Sequence, residues 1–159
     1  MDSVQWMYGF EPNTLTDDWK KRIQHLFFSE TGESYTFESI SNLPIPKWGG
    51  NMLLIDSSTY PNPQSLLGVL WALPYEVHGV RIAAFVIDAE HQSAGWGAKA
   101  WNHLVEISLA VGKNTIQLEV KASNIRAQKF YRLRGLEVVR ELKNYYVSGL
   151  GLEMKGPLG

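Results

Sequence analysis

The chain contains no cysteine. Disulfides, thiolate nucleophiles and cysteine-ligated metal sites are therefore excluded. It also has no excess of one charge: 15 Lys and Arg stand against 16 Asp and Glu, a formal net charge of −1. That balance gives no electrostatic reason to expect nucleic acid or a membrane surface as a partner. No apolar run approaches the roughly 18 residues of a membrane span. The opening "MDSVQWMYGF" has neither the basic start nor the apolar core of a signal peptide. A cytoplasmic location is the expectation. The four histidines, His25, His78, His91 and His103, are scattered without a His-x-x-x-His pair, so no metal site is expected. No serine stands in a Gly-x-Ser-x-Gly context, which leaves a hydrolase without support. Repeats, low-complexity tracts and linkers are absent as well. What is present is 159 residues, 45% hydrophobic and 19% charged, the size and composition of one globular domain spanning residues 1–159.

Periodicity divides that domain into elements. In "TLTDDWKKRIQHLFF", Leu15, Trp19, Ile23, Leu26 and Phe27 share one face, which predicts an amphipathic helix; Thr14 with Asp17 reads as its capping box. "YTFESISNLP" predicts a short second helix, with Phe37 and Ile40 inward and a stop at Pro44. "NMLLIDS" and "SLLGVLWALPY" read as strands separated by the turn-rich "STYPNPQ". "VRIAAFVID" is the most apolar strand and is expected at the centre of the sheet. Trp101, Leu104, Val105, Ser108 and Leu109 follow at helical spacing, and "TIQLEV" is another strand. Asn124 is a natural N-cap for "IRAQKFYRLR", with Gly135 as its C′ residue. "LEVVREL" and "YYVSGLGLEM" predict a closing hairpin. The order β, α, α, β, β, β, α, β, α, β, β predicts an α/β (α+β) fold, a mixed sheet with helices on both faces.

The stretch "HQSAGWGAKAW" interrupts this pattern directly after the most apolar strand. A strand that feeds a glycine turn and then a helix start is a recurrent anion site. The first N–H groups of a helix lack internal partners and lie at the positive end of its dipole. A Walker loop is excluded because no Gly-Lys-Ser/Thr ends the motif. A dinucleotide fingerprint is excluded because the first glycine is missing and the motif falls late in the chain. Two readings stay open on the residues alone, an anion cradle and a plain tight β-to-α turn.

The wider context distinguishes them. "VIDAEHQSAGWGAKAW" resembles the acetyl-CoA motif of the GNAT acetyltransferases, a Gln/Arg-x-x-Gly-x-Gly/Ala turn after the fourth strand. "LEVKASNIRAQKFYRLRGL" resembles that family's second motif, with Asn124, Ala127 and Tyr131 in an N-x-x-A-x-x-x-Y frame. The resemblance covers roughly Val80 to Lys155. It is closest to the ribosomal-protein and protein N-terminal acetyltransferase branch, whose terminal Tyr-Tyr hairpin "KNYYVSGLGLEMK" echoes. There are departures: Ser93 and Ala94 replace a frequent small or basic pair, Trp96 fills a usual aliphatic position, and "GLGLEM" lacks an acidic pair. The resemblance implies a GNAT-like, mostly antiparallel sheet with a parallel, splayed pair of central strands, "VRIAAFVID" and "TIQLEV". It implies acetyl-CoA as cosubstrate and no metal. Phe85, Val86 and Ile87 would offer main-chain groups to the pantetheine arm. Ser93, Ala94, Gly95, Trp96, Gly97 and Ala98 would surround the pyrophosphate. Asn124 would serve the cofactor as well as its helix.

Acetyl transfer from a thioester to an amine needs a neutral nucleophile, a polarised carbonyl and a protonated leaving thiolate. Tyr131 matches the family's general acid. Glu119 matches the carboxylate that deprotonates the acceptor, directly or through water; alternation sets it opposite Leu118 and Val120, on a side that must be wet or functional. Glu76 and Asp88 are weaker candidates. The expected function is N-acetyl transfer to a primary amine, with a protein or peptide N-terminal α-amine favoured. A small-molecule amine acceptor and a non-catalytic acyl-CoA sensor are the alternatives. Tyr145 and Tyr146 are expected to wall a peptide groove, one of them facing it by alternation, with Trp48 and the "NLPIPKWGG" loop opposite.

Overall fold

The computed structural model describes residues 3–43, 45–146 and 149–158. Pro44, the predicted helix stop, and Val147 and Ser148 of the predicted hairpin lie outside the described residues. An opening strand, β1 (Val4–Tyr8), leads to helices α1 (Asp17–Thr31) and α2 (Phe37–Ser41). Strands β2 (Asn51–Asp56), β3 (Leu66–Tyr75) and β4 (Gly79–Ile87) follow, then α3 (Trp96–Ala110), β5 (Thr115–Lys121), α4 (Ile125–Arg132), β6 (Glu137–Tyr146) and β7 (Gly149–Pro157). The seven strands form one mixed sheet in the order β1-β2-β3-β4-β5-β7-β6, with β4 at its centre. β4 and β5 are the parallel pair and the other pairings are antiparallel. Among the described residues no helix is long and apolar enough to cross a membrane.

Helix ends follow their sequence signals, with one shift. Thr16, not Thr14, caps α1, its side chain accepting from the Trp19 N–H; Thr14 instead closes a 3-10 turn onto Glu11 O. The capping box belongs to α2, where Thr36 and Ser39 bond reciprocally. At the end of α4, Gly135 N–H reaches Arg132 O and Leu136 N–H reaches Tyr131 O, with Gly135 at φ +91°. This is the Schellman pattern with glycine at C′.

The helices cover opposite faces of the sheet. Ile23, Leu26 and Phe27 of α1 and Ile40 of α2 pack on Leu53, Ile55, Val69 and Trp71. Ala100, Trp101 and Leu104 of α3 and Tyr131 of α4 pack on Met52, Leu54, Leu70, Ile116 and Leu118. Each fully buried large aliphatic or aromatic side chain contributes about 1.5–3 kcal/mol. Leu109, expected inward on α3, is 47% exposed, and Ala100 lies on the buried face instead.

The centre of the sheet carries its main irregularity. Trp71 pairs with Ala84 and Ala72 pairs with Ile82, so Ala83 is one residue extra in β4. Such a bulge bends its strand and increases the local twist. Pairing of β4 with β5 ends just before it, at Ile82↔Leu118, while β5 stays paired with β7 through Lys121. The central strands therefore splay as the family resemblance implies, and among the described residues one edge of β4 beyond Ile82 has no strand partner. β7 pairs with both β5 and β6, so the terminal hairpin returns into the sheet. Tyr145 and Tyr146 end β6 and do not open β7.

Candidate active site

Two cavities meet at the splay. One, of 400 Å³, lies along β4 and the starts of α3 and α4. The other, of 410 Å³, lies between the end of α1 and strands β4, β5 and β6. Phe85, Val86, Asn124, Ala127 and Tyr131 line both, so the cavities form one bent cleft.

The first arm of the cleft holds most of the expected cofactor residues. Phe85, Val86, Ile87, Ser93, Gly95, Gly97, Ala98 and Asn124 line it. Ala94 and Trp96 do not. Ala94 is exposed on the turn, while the Trp96 ring lies under the Lys99 ammonium and its carbonyl accepts from Trp6 Nε1. Gly95 is the N-cap of α3 at φ +88°, with no side-chain cap. The N–H groups of the first helical turn are thus left to a ligand. The Gly97 gap has a different cause. A Cβ there would meet Phe130 at 3.4 Å and Phe85 at 3.6 Å, so its space is set by aromatic packing. Asn124 caps α4 by accepting from Ala127 N–H, and it stands at the join of the two arms.

Arg126 is a residue that the sequence reading missed. From the first turn of α4 it reaches the glycine turn, donating to Ser93 Oγ at 2.5 Å and to the Gln92 side-chain oxygen. Gln92 in turn donates to Glu30 of α1 at 3.0 Å and to Ile87 O at 2.6 Å. A cation therefore sits beside the turn although Ser93 and Ala94 supply none. Its sequence signal was an arginine two positions after the capping Asn124, close to the anion turn only once the fold is known.

The second arm is built from side chains. Tyr131 is 7% exposed, with Trp101 and Phe130 rings at centroid distances of 5.8 and 5.6 Å. Burial pushes its hydroxyl above the ordinary phenol value of 10.0. It therefore rests protonated at neutral pH and is a weaker acid than a free phenol. Glu119 lines this arm, as alternation allowed, but it is not simply wet. Two nitrogens of Arg81 on β4 hold it, Nη2 donating to Oε1 at 2.5 Å and Nε to Oε1 at 3.0 Å, and the Tyr145 hydroxyl donates to Oε1 at 3.1 Å. Glu33 also lines this arm and pairs with Lys121 at 3.0 Å, which joins the loop after α1 to the end of β5. Glu76 and Asp88 line neither cavity; Asp88 caps a short turn through Glu90 N–H.

The walls of the second arm correct the expectation for Trp48. Trp48 donates to Ala72 O and packs with the α3-side core, so it does not face this cavity. Phe27, Thr31 and Tyr35 line it together with Tyr146. Only one tyrosine of the pair faces the cavity, as alternation predicts. Tyr146 lines the cavity while Tyr145 holds Glu119. The pairing register shifts between Leu142 and Tyr146, with Asn144 at φ +58°. Burial first, then the neighbouring Tyr145, Tyr35 and Glu119 charges, raise the Tyr146 hydroxyl above its ordinary value. Among the described residues no group of three or more His, Asp or Glu side chains converges as a metal site.

Comparison with known proteins places this architecture. Residues 18–136 match the sequence model of the acetyltransferase (GNAT) family. No curated protein matches the chain by sequence. Among solved structures, the fold is shared with Ard1 from Thermoplasma volcanium, 20% identical over 99% of both chains at a TM-score of 0.78. It is shared with the ribosomal-protein-S18-alanine N-acetyltransferase from Escherichia coli, 19% identical over 98% of this chain and 94% of that one, TM-score 0.71. NAA60 of Arabidopsis thaliana, solved with a bisubstrate analogue, is 17% identical over 97% of both chains, TM-score 0.73. At these identities the likeness is one of fold.

Proposed function

Since the chain belongs to the GNAT acetyltransferase family, acetyl-CoA-dependent N-acetyltransferases, we propose that its acceptor is the α-amine of a protein or peptide N-terminus. The observation that carries this reading is the charge pairing of the second arm. Glu33 is matched by Lys121 and Glu119 by Arg81, while Glu30 is bonded by Gln92. A polyamine needs a string of unmatched carboxylates, and among the described residues the lining offers no such string, Glu30 being bonded by an amide and the other two by cations. One ammonium, with an apolar first side chain against Phe27, Tyr35 and Tyr146, suits what is there. The fold shared with N-terminal acetyltransferases supports the same acceptor.

Acetyl-CoA supplies an activated acetyl group as a thioester. The residues of this chain bind it, orient it and move protons around it. The unpaired edge of β4 at Phe85, Val86 and Ile87 offers main-chain groups to the pantetheine arm, like an added strand. The uncapped start of α3, from Gly95 to Ala98 with Ser93 before it, faces the pyrophosphate, and Arg126 adds the positive charge. Ala94 and Trp96 contribute through the backbone of the same turn. Asn124 positions the join between the arms. Tyr131, protonated by default, donates to the sulfur as the thiolate leaves. Glu119 takes the proton of the acceptor ammonium, directly or through water. An α-ammonium, with a pKa of about 7.7–8.0 against about 10.4 for lysine, gives up that proton near neutrality with less help.

A turnover screen tests the assignment, using acetyl-CoA with peptides varied in their first two residues, and free lysine and spermidine alongside. Selective acetylation of some peptides is expected. Preference for the small amines, or indifference to the first residue, overturns the N-terminal acceptor and favours a small-molecule acetyltransferase. Cofactor binding without turnover of any amine favours an acyl-CoA sensor.

A further inference from the structure

Arg81 is a half-buried charge on β4, its side chain 29% exposed. A guanidinium in such a setting gains from a carboxylate partner. The partner is Glu119, and the pair has a defined place in the fold. The last rung between β4 and β5 is Ile82↔Leu118. Arg81 stands one residue before that rung and Glu119 one residue after it, so the pair crosses the vertex from which the two strands diverge.

The contacts are unequal at the two carboxylate oxygens. Oε1 accepts from Arg81 Nε at 3.0 Å, Arg81 Nη2 at 2.5 Å and the Tyr145 hydroxyl at 3.1 Å. Among the described residues Oε2 accepts only from Arg81 Nε, at 3.3 Å. A carboxylate has about four lone-pair sites. Oε1 is saturated, and Oε2 keeps acceptor capacity on a residue that lines the acceptor arm. The register partner of Glu119 on β7 is Glu153, whose own cation is Arg140 at 2.9 Å. We propose that Arg81 is the positioning residue of the acceptor side: its fork fixes the Glu119 carboxylate so that Oε2 alone is presented to the ammonium or its water. Tyr145 completes the hold from the terminal hairpin. The inference rests on the acceptor-side role of Glu119 stated above. Lysine is a point charge and cannot reproduce the fork, though it keeps the attraction.

The test compares Arg81→Met, Arg81→Lys, Glu119→Gln and the double variant Arg81→Met/Glu119→Gln in the full chain. It reads kcat and acceptor KM with a peptide substrate, and acetyl-CoA affinity by calorimetry. Arg81→Met is expected to lower kcat by about 100-fold, the scale of a misplaced reacting group. Acetyl-CoA affinity should stay unchanged, Lys should restore part of the loss, and the double variant should be no slower than Glu119→Gln alone. An unimpaired Arg81→Met beside an impaired Glu119→Gln overturns the inference alone. So does additive loss in the double variant, or Lys no better than Met. Wild-type turnover in Glu119→Gln overturns the role of Glu119 and the inference with it. If Arg81→Met fails to fold, Tyr145→Phe decides. A loss of activity that vanishes in the Glu119→Gln background supports the hold on Oε1, whereas any other outcome overturns it.

Discussion

In the cofactor arm of the cleft, the groups offered to a ligand belong largely to the main chain: the free edge of β4 and the uncapped first turn of α3. In the acceptor arm they are side chains brought from α1, β4, β5 and β6, held by charge pairs between distant segments. A main-chain site is insensitive to most substitutions, because any residue with acceptable backbone angles supplies the same N–H. A side-chain site changes with each residue. The difference teaches where specificity resides. On the proposed function, the cofactor arm serves one invariant chemical, while the acceptor arm is free to be retuned pair by pair.

The largest effect should come from Tyr131, one of the residues the two arms share. Tyr131→Phe is expected to lower kcat by about 100-fold or more, with smaller changes in either KM, because its proton is needed in the transition state. Steady-state kinetics with a peptide acceptor check this, and a near-normal kcat would give the leaving thiolate another proton source. Next come changes confined to the cofactor arm. Arg126→Ala should weaken acetyl-CoA binding by about 10-fold, the scale of one hydrogen bond to a charged group. Gly97→Asp should weaken it as well, by placing a negative charge at the phosphate turn. Gly97→Ala should do much less, since its Cβ meets Phe130 at ordinary contact distance, 3.4 Å. Calorimetry separates charge from bulk here, and equal losses for Ala and Asp would contradict the electrostatic account.

Tyr146→Ala addresses the other arm and should raise acceptor KM by several-fold, by analogy with the loss of one aromatic contact of about 0.5–1.5 kcal/mol. Acetyl-CoA affinity should not move, and parallel changes in both constants would dissolve the distinction between the arms. The smallest effect is an expected flatness with pH. Burial raises the Tyr131 hydroxyl above its ordinary 10.0, and burial with nearby charges does the same for Tyr146. The fold favours the neutral phenols. Their contribution to stability is fully present below 10.0 and is lost progressively as pH rises from there through their higher folded values. Thermal melts between pH 8 and 10 should show no loss attributable to these groups, and a drop tracking phenolate absorbance in that window would contradict their burial.

The same contrast explains what the sequence made legible. The cofactor arm is local. Gly95 and the α3 start are adjacent, the cap at Asn124 directly follows β5, and the apolar run of β4 and the alternation of β5 carry their place in the sheet. The bulge at Ala83 has no such signal, since two adjacent alanines fit either face. The acceptor arm depends on pairs 38 and 88 residues apart in the chain, Arg81 with Glu119 and Glu33 with Lys121. A lone arginine in "VRIAAFVID" and a lone glutamate in "TIQLEV" were the available clues, and they meet only once β4 and β5 are known to be neighbours. The Trp48 expectation failed for the same reason, because proximity in sequence to the α1–α2 segment does not fix which face of the sheet a loop crosses. Thr14 gave way to Thr16 because two threonines offered alternative caps and a 3-10 turn took the first.

The position of β7 between β5 and β6 has a consequence for the order in which the chain can fold during synthesis. β5 is complete at Lys121, yet its second neighbour is Gly149–Pro157. Until that strand leaves the ribosome, β5 has an open edge and β6 has no strand to pair with. A β-rich unit waiting on a distant partner is slow to close and exposed to association meanwhile. Nascent chains halted at residue 146 should therefore remain protease-sensitive throughout β5 and α4, whereas chains extended past residue 157 should become resistant as a unit.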